Sequence, residues 1–489
     1  MSYDVVVVGA GPNGLAAAIA FAGNGLATLV VEAADTPGGG ARTRELTIPG
    51  VRHDVCSAVH PLGIASPWLR ALALEDDGLR WIQPPTPLVH VLGDGRTVAL
   101  ERSLDATAAQ LGDDGDAYRE LLAPFVARFD ELIAMTLGPL RFPRDPLLFA
   151  RFGREAIRSL RGLARSRFRG DAAPALLAGI SAHAMVPLDE LATASFALVL
   201  GAAGHAAGWP IARGGSQAII DALVARLRGL GGELVVGTPV ASLDALPAAR
   251  AYVLDVTPRQ LVAIAGDRLP AWYRARLARF RYGLGVFKVD WALRAPIPWR
   301  DPRCAAAGTV HLSGTLDEVS RAERAIHAGD IPPRPFVLVA QPTRFDPSRA
   351  PPGTHTAWAY CHVPHAAAID ATAAIEAHVE AFAPGFRDVV IARATMSPGE
   401  LERYNANYVG GDITGGLSDW RQLLFRPIAR LDPYTTPARD IFLCSSSTPP
   451  GVGVHGMCGY WAARSVLRHV FDRELDVTAC GASRYRRAG

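Results

Sequence analysis

The sequence predicts an α/β protein: a discontinuous parallel-sheet domain assembled from both ends of the chain and part of its middle, with an α+β domain inserted into it. Three observations predict it. The β-branched run 5–8 gives way to Gly9-Ala10-Gly11-Pro12-Asn13-Gly14 and then to the helix-like LAAAIAFAGNG, in the order strand, glycine turn, helix. A second strand-like run, 27–31, ends on the acid Glu32, about 20 residues beyond the turn. Near the other end, Ile441-Phe442-Leu443-Cys444 reads as a buried strand that passes through a Ser-, Pro- and Gly-rich turn into another helix.

The first of these is a Rossmann-like phosphate site. One glycine makes the tight turn, a second lets the backbone approach a pyrophosphate, and a third lets helix and strand pack closely. Phosphate then meets the free N–H groups and positive dipole at the helix start, where Pro12, Asn13 and Gly14 lie. Glu32, followed by Ala33, can accept both ribose hydroxyls, and the lack of an arginine directly after it argues against a 2′-phosphate and so against NADP. Gly38-Gly39-Gly40-Ala41-Arg42-Thr43 adds bare backbone and a guanidinium as further donors to a diphosphate. The set points to FAD.

Composition bounds the rest. With 489 residues, 49% hydrophobic and 20% charged, the chain has material for two or three domains and an ordinary globular core. A net charge of +3 provides no field to recruit nucleic acid. The six cysteines are dispersed, with no CxxC pair and no His/Cys ligand spacing, so reduced thiols, no metal and a cytoplasmic location are expected. Residues 5–31 carry no charge, but Asp4 precedes them and Gly11, Pro12 and Asn13 interrupt them, which fits a glycine turn better than a signal peptide or membrane span.

Strand and helix alternate at both ends, and between them lie the two inserted blocks. The expected division is a nucleotide domain from 1–65, 205–265 and 431–489, with a substrate domain from 66–204, mainly helical, and 266–430, mixed α+β. Arg213-Gly214-Gly215-Ser216 opens a helix with apolar positions Ile219, Ile220, Leu223, Val224 and Leu227 at a period near 3.6. Strands 234–236 and 252–254 follow, the latter closing on Asp255. A strand beside Val240 is expected to cover an adenine. In the C-terminal turn, Ser446, Gly453 and Val454 face a second positive helix end, running from about 455 to 471, suited to the pyrimidine edge of a flavin.

The motifs VVVVGAGPNGLAAA, VVEAADTPGGGARTRE and FLCSSSTPPGVGVHGMCGYWAAR together resemble the phytoene desaturase and carotenoid isomerase superfamily, within the wider amine oxidase-like group. The middle, through RGGSQAIIDAL, AYCHVP and NYVGGDITGG, is similar to the bacterial branch related to the phytoene dehydrogenase-like protein of animal mitochondria. The resemblance implies an FAD-dependent oxidoreductase that desaturates or isomerises C–C bonds of an apolar, isoprenoid or long-chain substrate. One departure stands out: where the family commonly carries Gly-Asp before its Pro-Gly, this chain has Ser445 and Ser446, so the ribityl chain meets a hydroxyl without a charge.

Candidate catalytic residues are His183 and His205, which bracket the start and interior of the uncharged block 191–212, and His455 and Met457 in the flavin-facing turn. Lys288 and Asp290 share one face of a strand and read as a surface ion pair; Cys361-His362 reads as a packed pair. Arginines 151, 154, 158, 161, 165, 167 and 169, with Glu155 the only acid among them, read as a solvated helix face or as a peripheral contact with an anionic membrane. A flavin amine oxidase and a non-catalytic lipid-binding escort of the GDP-dissociation-inhibitor type are the alternatives. The missing aromatic residues at the C-terminal turn argue against the first, and the intact phosphate motifs against the second. The oligomeric state is not legible.

Overall fold

The computed structural model describes residues 3–481; residues 1–2 and 482–489, at the outer ends of segments 1–65 and 431–489, lie outside the described residues. Two sheets organise the molecule. The first is five-stranded and parallel, in the order Ile441–Leu443, Ala249–Leu254, Tyr3–Val8, Thr28–Val31, Glu233–Val235. Parallel strands are covered on both faces, which is why they read as unbroken apolar runs. Val5 and Val7 join the core under helices Pro12–Gly23, Gln217–Gly229 and Met457–Phe471, whereas Val6 and Val8 join the opposite core with helix Pro258–Ala265. The chain builds outward on one side of Tyr3–Val8 and then returns to its other side with Ala249–Leu254. That reversal opens a crevice at the carboxyl ends of the two strands.

The second sheet has seven strands, in the order Val390–Met396, Gly285–Leu293, His355–Val363, Val337–Ala340, Ala307–Leu312, Thr86–Val91, Thr97–Leu100. All its neighbours are antiparallel except Ala307–Leu312 with Thr86–Val91. Segment 66–204, expected to be mainly helical, thus also contributes two strands to this sheet. Helix Thr372–Phe382 covers one face, where Val289, Trp291 and Val339 point, and the helical block that ends with Thr193–Ala206 packs on the other.

Several expectations change with the tertiary structure. Lys288 and Asp290 are 3% and 0% exposed and ion-paired inside the sheet, not on the surface, because their strand has a neighbour on each side and its polar face is covered by the nucleotide domain. His53 contributes, its Nδ1 lying 3.4 Å from the Asp290 carboxylate. Val240 lies in a loop after Glu233–Val235, not in or beside a strand of its own. The arginine-rich segment forms two short helices, Pro146–Ala156 and Leu160–Arg167, and most of its charge is paired within the protein: Arg154, Arg158 and Arg167 converge on Glu155, and Arg161 and Arg165 on Asp317.

The domains are joined by buried polar contacts. Asp54 accepts from the Thr43 hydroxyl at 2.7 Å and the Ser216 N–H at 2.8 Å, and pairs with Arg349 at 2.9 Å. Burial works against its charge, but Arg349 and these donors hold the carboxyl below its ordinary range.

Candidate active site

The crevice belongs to a cavity of about 1190 Å³, larger than the span typical of drug-sized ligands. At one end its wall is Gly11-Pro12-Asn13, Gly39-Gly40-Ala41 and Asp255, and at the other face Ser445-Ser446-Ser447 and the turn 449–454. Two helix starts meet here. Helix Pro12–Gly23 is capped by Gly11 and helix Met457–Phe471 by Gly456, and neither has a side-chain cap. Gly459, in the first turn of the second helix, lies against the Asn13 carbonyl of the first with no room for a Cβ. Two positive helix ends therefore lie side by side, the Gly14 N–H of the first held by Asp255 and the Met457 N–H of the second by His455.

The glycines are required by contact. A Cβ on Gly14 would meet the Gly9 carbonyl, one on Gly11 the Asp255 carboxylate, and one on Gly40 the Tyr408 hydroxyl. Gly9 itself has φ +101°, a conformation L side chains rarely adopt. Asp255 accepts from the Gly14 N–H at 2.9 Å, and burial, reinforced by Glu32, pushes its carboxyl up to about 7. Asn407 fixes this corner by donating to the Asp255 carbonyl at 3.0 Å and accepting from Thr257 N–H at 3.0 Å. The buried Asn13 Oδ1 has no protein partner among the described residues.

Glu32 ends its strand as expected, and its carboxylate accepts from the N–H groups of Ala10 at 2.7 Å and Ala34 at 2.9 Å. Its third partner is Arg42, at 3.1 Å. Arg42 also donates to Thr36 O at 2.9 Å and Gly39 O at 3.4 Å, so this guanidinium is committed to protein acceptors and holds the glycine loop to the acid. A buried cation needs such partners. Ala33 is exposed, and Thr43 is turned toward Asp54 and the N–H of Gln217.

In the C-terminal turn, Ser446, Gly453 and Val454 line the cavity. The Ser446 carbonyl accepts from the buried Arg426 at 2.9 Å, and the Ser447 hydroxyl donates to Gly415 O at 2.7 Å. The loop bearing Gly415 is organised by Asp412, which is 0% exposed and accepts from the N–H groups of Gly283, Thr414 and Gly416.

The four candidate catalytic residues separate. His183 lines the cavity, with its Nε2 3.3 Å from that of His311, and burial lowers its pKa to about 4. His205 is on the far side of its helix from the cavity, 2.9 Å from the Tyr118 hydroxyl. His455 is buried beneath the turn, where its Nδ1 accepts from the Met457 N–H at 3.1 Å; Met457 begins the helix and is buried with it. Sequence reasoning passed over Asn407, Tyr408 and Arg426, and read Asp255 only as the end of a strand and Lys288 only as half of a surface ion pair. For the last two a signal existed: Asp255 is a charge at the carboxyl end of a parallel strand, and Lys288 is the only lysine in a chain with 50 basic residues.

From the crevice the cavity continues into an apolar arm. Ala192, Ser195, Phe196, Val199 and Leu200 form one stripe along helix Thr193–Ala206, facing Met135, Leu148, Phe152, Leu338, Trp358 and Tyr360.

The residues fit FAD: two adjacent helix starts for the diphosphate, glycines that admit its close approach, an acid at the end of the second strand, an orphaned buried amide oxygen and a long cavity. Residues 7–73 match the NAD(P)-binding Rossmann-like domain family. Over 95% of its length the chain is 26% identical to pyridine nucleotide-disulfide oxidoreductase domain-containing protein 2 of Mus musculus, covering 93% of that protein. It is 25% identical to the lycopene-forming phytoene desaturase of a Paracoccus species, over 93% of this chain and 95% of that one. Its fold is similar to that of cyclohexylamine oxidase from Brevibacterium oxydans, with a TM-score of 0.60 at 16% identity, covering 97% of this chain and 100% of that one. The chain is an FAD-dependent oxidoreductase similar to the phytoene desaturases.

Proposed function

We propose that the enzyme acts on C–C bonds of an apolar, isoprenoid or long-chain substrate, by desaturation or double-bond isomerisation. The observation that carries this reading is the apolar arm, which shares one cavity with the turn 449–454. A polar metabolite seated along Phe196, Val199 and Leu338 would leave donors and acceptors unpaired at roughly 1–3 kcal/mol each. An aliphatic chain there leaves nothing unpaired.

Bound FAD supplies a two-electron acceptor for hydride from a carbon held against it. Gly11, Asn13, Gly39 and Gly40 would hold the diphosphate and Glu32 the ribose, while Ser446 would offer its hydroxyl to the ribityl chain. The helix stripe orients the substrate and keeps water out. His183 is neutral at pH 7, so it is available as a proton acceptor on the apolar arm and not as an acid.

The stacked Trp358 and Tyr360 rings, 6.0 Å apart and both on the cavity, favour an amine cation as the competing substrate class. Anaerobic flavin reduction decides between them, run with terpenoid, long-chain and amine panels from both the oxidised and the reduced enzyme. Bleaching, or isomerisation by reduced enzyme, is expected with apolar compounds. Turnover of amines or hydrophilic compounds alone overturns the reading.

A further inference from the structure

The geometry points to an oriented relay of three histidines: His90 and His311 hold His183 in the tautomer whose Nδ1 lone pair faces the apolar arm, and His311 receives the proton that His183 takes from substrate. His183 is then the catalytic base. His90 and His311, which do not line the cavity, are positioning residues. The relay rests on the apolar-substrate reading for the reaction it serves, whereas its tautomers rest on buried geometry alone.

His90 and His311 are register partners on the adjacent parallel strands Thr86–Val91 and Ala307–Leu312, so both rings leave the sheet on the same face. Their neighbours Val89, Val91, Val310 and Leu312 fill the core on the other face. Both histidines are fully buried, and helix Ala172–Ser181 crosses over them at Gly179, where a Cβ would clash with the Nδ1 of each. His183, in the turn that follows this helix, completes the set.

The contacts decide where the protons sit. The Gly314 carbonyl can only accept, and His90 Nε2 lies 2.6 Å from it, so neutral His90 carries its proton on Nε2 and a lone pair on Nδ1. That lone pair and the His311 Nδ1 are both buried, both without a protein partner among the described residues, and both at the space above Gly179. A proton on His311 Nδ1 gives the lone pair a donor, whereas a second lone pair would leave both nitrogens unsatisfied. His311 Nε2 is then an acceptor, and the His183 Nε2–H, 3.3 Å away, donates to it. His183 Nδ1 is left for the cavity that His183 lines. One backbone carbonyl thus orients three rings. Burial keeps them neutral at neutral pH, lowering His90 and His183 to about 4 and His311 well below its ordinary range. His362 stands apart, with the Phe336 ring 5.2 Å from both it and His311, and is paired with Glu323 at 2.7 Å.

As one substrate carbon gives hydride to bound FAD, His183 Nδ1 takes the proton of the neighbouring carbon, and the electron pair of that C–H bond becomes the second bond of the alkene. His183 passes its Nε2 proton to His311, which moves the positive charge off the apolar wall. When product leaves, the proton returns by the same path to water entering the cavity.

The test is ¹⁵N NMR of the FAD-loaded protein with labelled histidine and no substrate, which reads which nitrogen of each ring carries the proton. Nε2–H on His90 and His183 and Nδ1–H on His311 are expected at neutral pH. His90→Phe keeps a ring in place and removes the acceptor, and Gly179→Ala wedges a methyl against both Nδ1 atoms from a position that does not line the cavity. Either should turn the single His183 form into a mixture of two tautomers. With an apolar compound that reduces the flavin, His183→Phe should slow reduction about 10²- to 10⁴-fold. His90→Phe should slow it about 2- to 10-fold, the worth of one hydrogen bond in orienting the base. Unchanged flavin absorbance and melting temperature in the variants show that the fold is intact. Nδ1–H on His183, or a His183 form unmoved by both variants, overturns the relay, and a His183→Phe effect confined to KM overturns the base. The NMR result needs no substrate, so a failure of the tautomers and a failure of apolar compounds to reduce the flavin are separate outcomes, the second of which overturns the functional reading.

Discussion

Glu32→Gln removes one charge and keeps the size of the side chain, yet the structure makes it costly in two measurable ways. The carboxylate is 8% exposed and serves three donors: Ala10 N–H at 2.7 Å, Ala34 N–H at 2.9 Å and Arg42 at 3.1 Å. An amide has one acceptor oxygen, so in either orientation its NH₂ group faces a donor. Arg42, 2% exposed, then loses its only carboxylate, and breaking such a buried pair costs about 3–5 kcal/mol. The ribose hydroxyls lose a charged acceptor worth roughly 1.5–3 kcal/mol, which corresponds to about 10- to 150-fold weaker FAD binding. Urea unfolding reads the first quantity and fluorescence titration of the FAD-free protein with FAD reads the second. Glu32→Asp, which keeps the charge, should fall between wild type and Gln in both. A folded Gln variant with unchanged FAD affinity would show that this acid does not hold the ribose.

Three further outcomes are expected. Ser446→Asp places a carboxylate beside the buried Arg426 guanidinium that already binds the Ser446 carbonyl at 2.9 Å, so it should preserve or strengthen FAD binding; a folded but colourless variant means that the turn is aligned differently from its relatives. Because burial pushes Asp255 up to about 7, the folded FAD-free protein keeps a proton that the unfolded chain has already released. Its stability therefore falls as pH rises from the ordinary carboxylate range through about 7 and is level above that; Asp255→Asn removes this slope, and equal slopes in urea midpoints for the two proteins refute it. Lys288→Met leaves the Asp290 carboxylate, at 0% exposure, with only His53 Nδ1 at 3.4 Å for an ionic partner and should cost about 3–5 kcal/mol, whereas Lys288→Met with Asp290→Leu should recover most of it; a loss under about 1 kcal/mol in the single variant would mean that the pair behaves like a surface one.

Local patterns carried the nucleotide domain. A glycine turn between a β-branched run and an Ala-rich helix admits few other structures, because the backbone contacts that Gly14 makes with Gly9 leave no space for a side chain. The FAD assignment, the acid at the strand end and the second helix start near the C-terminus were legible for that reason: each is written within about 20 consecutive residues. The 3.6-residue period likewise marked the helix Gln217–Gly229, and the absence of charge marked the apolar block that became the cavity's stripe.

What only the tertiary structure decided depends on residues far apart in the chain. Whether Lys288 and Asp290 were surface or core turned on two neighbouring strands, His355–Val363 and Val390–Met396, that no local pattern pairs with theirs. His183 precedes the uncharged block and His205 lies within it; packing turned the face of helix Thr193–Ala206 that carries His205 toward Tyr118, while His183, in the turn 182–184, reached the cavity. Arg42 looked like a phosphate donor until the loop closed on Glu32, and Asp255 acquired its raised carboxyl because packing buries it and brings Glu32, more than 200 positions away in sequence, near it, against the opposing hydrogen bond from Gly14. The sequence by itself determined which chemical groups the protein would bring to a cofactor; burial and long-range pairing, which depend on the whole chain's packing, decided which of those groups face the cavity and in what state of charge.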